Sequence, residues 1–317
     1  MDSKKTNSIL PYIQIARPDH WFKNVFMLPG VILAIFDKPS IFSWGILPSL
    51  LLATLAACLL ASSNYVINEI IDAPMDKLHP VKKNHPIPLG QVKLAFAYSE
   101  WVFLATAGLL LSWQINLYFF ASAAGLLIMG ILYNVPPFRL KDIPYVDVLS
   151  ESINNPLRLF LGWFAVQDIH VPTLSLVMAY WMIGAFFMAT KRYAECRRIG
   201  DKAIAENYRK SFSYYTECRL MLSILYYATA FGLFFGIFLI RYRIELILSI
   251  PFLAGFMSMY MRMGFWENSP VQYPEQLYKQ RGFAIYTIVC FLFMFSLLFI
   301  DIPLIGKIFS PLYMPGE

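Results

Sequence analysis

Long apolar runs recur along the chain, separated by short polar stretches, and their length decides how they are read. A membrane-crossing helix needs about 20 mostly apolar residues. That ruler finds nine candidates, at residues 21–36, 41–71, 94–113, 117–133, 146–166, 174–190, 220–240, 246–261 and 283–302. The first is short and holds Pro29 and Gly30, which predicts a kink. The fifth is crowded with polar residues. Residues 1–16 lack the apolar core and small-residue cleavage site of a secretory signal. No internal repeat or low-complexity tract interrupts the pattern. The expected fold class is all-α: a polytopic membrane bundle of about nine transmembrane helices, with residues 1–317 forming one integral membrane domain.

Composition agrees. Apolar and aromatic residues make up 58% of the chain and charged residues 15%, against about 25% charged in an ordinary soluble domain. So much apolar surface has to face lipid. The net charge of +6 does not imply a nucleic-acid partner, because the bases fall in the loops of one face. With nine spans, 21 of the 26 lysines and arginines lie on one side, four on the other, and Arg158 inside the fifth span. The positive-inside rule then puts the N-terminus in the cytoplasm and the C-terminus outside, with the inner or plasma membrane as the location if the cell is bacterial. The cytoplasmic connections are the long, polar ones, so a polar cavity open to that side is expected. Cys58, Cys196, Cys218 and Cys290 show no C-x-x-C spacing, and His20, His79, His85 and His170 do not cluster at metal spacing.

Polar groups concentrate where membrane burial makes them costly. The second run is long enough for its last turns to project past the hydrocarbon core. There Asn68 and Asp72, four apart, face one way on a helix, and Asp76 continues the spacing, with Pro74 expected to loosen the last turn. An amide and two carboxylates on one face suit Mg²⁺ alongside substrate phosphates; a solvated helix end is the alternative. Lys77, His79, Lys82, Lys83 and His85 follow at once. They suit a diphosphate, or merely obey the positive-inside rule. In the fifth span Asp147, Glu151, Asn154 or Asn155, and Arg158 fall on one helical stripe. Such charges usually line a bundle interior, though Glu151 and Arg158 are also spaced to pair structurally. Tyr133, Asn134, Arg139 and Lys141 precede that span. Lys191, Arg192 and Glu195 close the sixth. Arg17, Trp21, Lys23 and Asn24 stand near the N-terminus, where Trp21 suits an interfacial anchor.

The N-x-x-x-D-x-x-x-D run after the second of nine spans resembles the UbiA superfamily of membrane prenyltransferases, over most of the chain. That resemblance implies a helical bundle around a central cavity, Mg²⁺ held on a diphosphate by aspartate motifs, and a lateral opening for a lipid chain. Glu69 replaces an aspartate often found in the first motif. At the second motif, Lys191 to Glu195 puts a lysine where one carboxylate is usual. This is similar to the branch of polyprenyl-phosphate phosphoribosyltransferases, such as those acting on decaprenyl phosphate. That branch is also matched at Arg17-Pro-x-x-Trp21-x-Lys23-Asn24, at Asp76-x-x-His79-Pro80-x-Lys82, and at Lys141 with Asp147. His85, where an arginine commonly precedes Pro-Ile, and Asn154-Asn155-Pro156 depart from it.

The resemblance implies roles. Asn68, Asp72 and Asp76 hold Mg²⁺, and with Lys191 and Glu195 form the catalytic set. Lys23, Lys82, Lys83, Tyr133, Arg139, Lys141, Asp147, Arg158 and Arg192 bind substrate, Asp147 through a sugar hydroxyl or a second metal. The expected partners are a polyprenyl lipid, a diphosphate-bearing donor and membrane lipids; no oligomeric state is implied. The leading reading is phosphoribosyl transfer from phosphoribosyl diphosphate to a polyprenyl phosphate. Prenyl transfer to an aromatic or other small acceptor is the alternative. A transporter or flippase is a third reading, but such proteins more often show two related halves with interrupted helices. The base count generates the first prediction: a cysteine introduced at Gly306 is labelled by an impermeant reagent only from outside, and one within 203–212 only from the cytoplasm. Labelling of both from one side overturns the topology.

Overall fold

The computed structural model describes residues 9–77, 82–200 and 209–309, and every regular element among them is helical. The chain divides into two compact units, Met1–Pro172 with Ile199–Thr216, and Thr173–Arg198 with Glu217–Glu317. The first unit holds α1 (Leu10–Ala16), α2 (Leu28–Asp37), α3 (Leu47–Asp76), α4 (Leu94–Trp113), α5 (Leu117–Asn134), α6 (Val146–Ser152) and α7 (Asn154–Phe164). The second is built from α8 (Leu174–Ile199), α9 (Glu217–Tyr242), α10 (Ile250–Gly264), α11 (Arg281–Phe299) and α12 (Pro303–Ile308).

Among the described residues, seven helical segments are long and apolar enough to cross a membrane: those of α3, α4, α5, α8, α9, α10 and α11. The other two candidate spans are each made of shorter pieces. Residues 21–36 form the end of a 3-10 stretch (Pro18–Met27) followed by α2, with Pro29 in the first turn of α2. The break therefore falls before Pro29, where a proline needs no N–H partner. The candidate at 146–166 is not one helix with one polar stripe. It divides at Ile153 into α6 and α7, because Pro156 has no N–H for the Ser152 carbonyl. At 1.5 Å per residue, α2 and α7 each reach only about 15 Å.

These two short helices pack against each other with almost no spacing between backbones. A Cβ on Gly30 would lie 2.1 Å from the Leu159 carbonyl oxygen, and one on Gly162 would lie 1.9 Å from that of Met27. The core around them joins Met27, Ala34, Ala53, Ala56, Ala57, Leu60, Phe119, Leu126, Leu161 and Trp163. Small residues also set the spacing of the long helices, as membrane helices require in the absence of a hydrophobic drive between them. Gly108 of α4 closes on Leu60 and the Ala56 carbonyl, and Gly130 of α5 closes on the Asn64 amide. Outward-facing Phe96, Val102, Phe103 and Leu110 of α4 are exposed, as lipid-facing residues should be.

α3 starts with Pro48 in its first turn and runs 30 residues, about 45 Å. It continues past Pro74 to Asp76, so the expected loosening does not end the helix; the Lys77 N–H still reaches the Ala73 carbonyl at 3.3 Å. The second unit is knit by aromatic contacts, including Phe187 with Tyr260 at 4.7 Å and Phe252 with Phe293 at 4.7 Å between ring centres.

Gly162→Ala should lose stability by about 1–3 kcal/mol, the usual scale of overpacking, and lower the melting temperature of the detergent-purified protein. Gly232→Ala on α9, where a Cβ meets nothing within 4 Å, should be neutral or mildly stabilising. Equal melting of the two variants refutes the close α2–α7 contact.

Candidate polar site at the end of α3

α3 carries two polar faces at its C-terminal end, and the helical repeat separates them. Asn64, Asn68 and Asp72 face α5 and the connection that follows it. The Asn64 Nδ2 donates to the Leu126 carbonyl at 2.9 Å. Asn68 donates through Nδ2 to Asn134 Oδ1, and Asn134 Nδ2 donates to the Gly130 carbonyl at 2.9 Å. Gly130 is what lets α5 come this close.

Asp72 is the centre of the arrangement. Lys141 Nζ lies 2.6 Å from both of its oxygens and also donates to Asn134 Oδ1 at 3.1 Å. Arg139 donates to Asp72 Oδ1 at 3.0 Å and to Asp142 Oδ2 at 2.9 Å. The Lys141 side chain is only 5% exposed. Burial pushes its amine down to about 8, against the upward pull of Asp72; the Arg139 and Arg209 charges add to the fall. The connection that delivers these cations is strained: Arg139 and Tyr145 have φ of 35° and 63°, at a cost of about 1–3 kcal/mol each. Hydrogen bonds hold both in place, the Tyr145 N–H donating to the Tyr215 hydroxyl at 2.6 Å.

Asp147, the first acidic residue of α6, is fully buried. Tyr215 donates to its Oδ1 at 2.5 Å and Ser211 to its Oδ2 at 3.3 Å. Arg209 Nη1 reaches the same Oδ2 at 3.5 Å and donates to the Tyr133 hydroxyl at 3.1 Å. Asp147 thus ties the 209–215 stretch to α6 and aims Arg209 at Tyr133. Spacing alone hides Arg209 and Tyr215 in a long basic loop; they emerge only from contacts more than 60 residues apart.

The other α3 face presents Glu69. It is 2% exposed and accepts from Arg17 Nη2 at 3.0 Å, with His85 Nδ1 3.1 Å from its other oxygen. Near the N-terminus, Lys23 Nζ donates to the Tyr65 hydroxyl at 3.2 Å and lies over its ring. Trp21 Nε1 donates to Ser62 Oγ at 2.9 Å. Arg158 donates to Asn24 Oδ1 at 3.2 Å, and Asn24 donates to Cys58. Cys58 stands ten residues, about 15 Å along the helix, before Asn68, so Arg158 serves a different level of α3. Lys83 is exposed. His79 and the side chain of Lys82 lie outside the described residues.

In the second unit, α8 buries Arg192, which donates to Glu195 Oε2 at 2.8 Å, one turn on. Tyr193 is buried beside them, edge-on to Phe265 at 5.4 Å.

Among the described residues, no three His, Cys, Asp or Glu side chains are grouped to hold a metal by themselves. Asp76, four residues after Asp72 at the end of α3, is buried, so the oxygen donors there are the Asp72 and Asp76 carboxylates and the Asn68 amide. That hard, all-oxygen set fits Mg²⁺, which is usually bound by one or two carboxylates with water and substrate phosphates completing its shell.

The UbiA prenyltransferase family matches residues 25–279. The decaprenyl-phosphate phosphoribosyltransferase of Mycolicibacterium smegmatis is 31% identical over 235 residues, covering 73% of this chain and 70% of that protein. The enzyme of the same name from Mycobacterium tuberculosis is 28% identical, covering 73% and 74%. A UbiA homologue from Archaeoglobus fulgidus bound to DMAPP and Mg²⁺ has the same fold, with a TM-score of 0.69 at 19% identity over 92% of this chain and 99% of that one. Long apolar helices, a cation-laden carboxylate at the end of α3 and these likenesses lead to one assignment: the chain is a multi-pass membrane transferase belonging to the UbiA prenyltransferase family.

Proposed function

We propose that the protein transfers a 5-phosphoribosyl group from phosphoribosyl diphosphate to a polyprenyl phosphate, with its site facing the cytoplasm. The observation that carries this reading is the density of fixed cations around a single α3 carboxylate: Lys141 at 2.6 Å, Arg139 at 3.0 Å, and Arg209 held nearby by Asp147. Phosphoribosyl diphosphate has a 5-phosphate beyond its diphosphate, so it needs more positive charge than a prenyl diphosphate. The phosphoribosyltransferase names of the relatives above support the same donor.

In this reading, Asn68, Asp72 and Asp76 would hold Mg²⁺, which would supply positive charge to offset that of the diphosphate. Lys141 and Arg139 donate to phosphate oxygens, Arg bidentately and Lys as a point charge. Lys23, Lys82 and Lys83 extend the cationic set of the first unit; in the second unit Lys191 and Arg192, the latter oriented by Glu195, are proposed as phosphate-binding groups in their own right. Asp147 keeps Arg209 and Tyr133 in place. The bond from ribose C1 to the diphosphate oxygen breaks, the electron pair leaves with the diphosphate, and a lipid phosphate oxygen bonds to C1. That oxygen is ionised at neutral pH, so the chain needs no general base. Prenyl transfer is the second reading, favoured by the DMAPP-bound state of the structural relative.

Two measurements test this. Membranes containing the protein, given phosphoribosyl diphosphate and polyprenyl phosphate, should make a phosphoribosylated lipid seen by mass spectrometry, and Lys191→Ala should raise KM for the donor and cut turnover. Consumption of a prenyl diphosphate with a ring acceptor, and none of phosphoribosyl diphosphate, transfers the assignment to the second reading. Separately, Asp72→Asn and Asp76→Asn should each lose at least about tenfold in rate, about 1.4 kcal/mol of transition-state stabilisation, and EDTA should abolish activity. Full activity in EDTA removes the metal.

A further inference from the structure

Glu69 sits one residue from Asn68 yet points to a different face of α3, together with Val66, Ile70 and Ala73. These last three pack with Ile15 of α1, Ala97 of α4, and Ile87 and Val92 of the stretch between α3 and α4. That stretch carries Lys82 and Lys83. Among its described residues, regular structure is slight: one 3-10 turn (Lys82–Asn84) and turns closed by Leu89 N–H to the His85 carbonyl and Gln91 N–H to the Pro86 carbonyl. Ile87 and Val92 attach it to α3 by apolar burial, which is non-directional and does not by itself set a register.

The directional tie is polar. His85 Nδ1 lies 3.1 Å from Glu69 Oε1, 3.2 Å from Oε2, and 3.5 Å from Arg17 Nη2, which itself donates to Oε2 at 3.0 Å. One buried carboxylate therefore joins three separate parts of the chain: the residue after α1, the end of α3, and the lysine-bearing stretch. Glu69 and His85 are 16 residues apart in the chain, and the fold brings them into contact.

We propose that Glu69, Arg17 and His85 form a latch that fixes the register of the Lys82–Lys83 stretch over the end of α3, making Glu69 a positioning residue for the phosphate-bearing donor. The donor side of this rests on the function proposed above; the latch itself does not.

The test is a length swap in the full-length protein. Glu69→Asp withdraws the carboxylate by about 1.5 Å, out of reach of His85. KM for the donor diphosphate should rise about tenfold, while kcat and the KM for the lipid acceptor change less than about threefold. Adding His85→Arg restores reach with a longer donor, and Glu69→Asp/His85→Arg should return to within about threefold of the parent protein. Amide hydrogen exchange gives a readout independent of any substrate: residues 86–93 should exchange faster in Glu69→Asp and recover in the double variant, with residues 139–142 unchanged throughout. A double variant no better than Glu69→Asp in exchange, or a Glu69→Asp protein indistinguishable from the parent, overturns the latch. Recovery of exchange without any activity on phosphoribosyl diphosphate keeps the latch and refutes the donor.

Discussion

A charged side chain at the end of an apolar helix has to be neutralised where it stands, and the first unit is arranged around that constraint. Asp72 lies at the last turn of a helix about 45 Å long, between Lys141 and Arg139. Removing one partner of such a buried pair typically costs about 3–5 kcal/mol, so the connection after α5 cannot wander. The strain at Arg139 and Tyr145 is the price of delivering both cations from one short loop. Asn134 completes the shell by accepting from Lys141 and Asn68 together. Gly130, one turn earlier, makes the approach of the two helices possible. Electrostatics at one carboxylate thus dictates helix spacing, loop conformation and amide orientation.

How much of this was readable in the sequence depended on whether the signal was local. The long apolar runs gave seven membrane-length helices, because length and hydropathy are properties of a single segment. The i, i+4 spacing of Asn68 and Asp72 likewise needed only the helical repeat. The two weak spans failed as single helices for equally local reasons, Pro29 and Pro156, but only the first carried an expected kink. Arg139 and Lys141 were visible as bases after a span; that both close on Asp72 was not, because that contact spans 67 and 69 residues. Asp147 is legible as a polar group at membrane depth; that Tyr215, Ser211 and Arg209 surround it is not, because no periodicity assigns those partners.

Two-faced helices explain how one short motif does two jobs. Successive residues on a helix turn through about 100°, so Asn68 and Glu69 belong to different neighbourhoods despite being adjacent. The Asn68 face meets α5 and the cationic loop. The Glu69 face meets α1 and the stretch leading to α4. A replacement at position 69 therefore leaves the Asn68–Asp72 spacing intact and acts on a different neighbour, the base at position 85. The motif is better understood as two interleaved sets than as one row of ligands.

Lys141 brings these strands together chemically. It is nearly excluded from water, and burial works against its charge. An ammonium in that position is stabilised by an anion within contact distance. Asp72 supplies one in the chain by itself, with both oxygens at 2.6 Å. Any step that engages Asp72 elsewhere must offer Lys141 another anion, and a phosphate oxygen is the partner whose charge and compact geometry a lysine matches. Under the function proposed above, this carboxylate–lysine contact is one that a phosphate-bearing donor is suited to exchange into. Arg139 gains from that exchange as well, since its planar fork already reaches from Asp72 to Asp142 and accepts paired oxygens. The cations that neutralise the helix end and the cations that would receive the donor are one set, placed by the folding requirement and available to the chemistry.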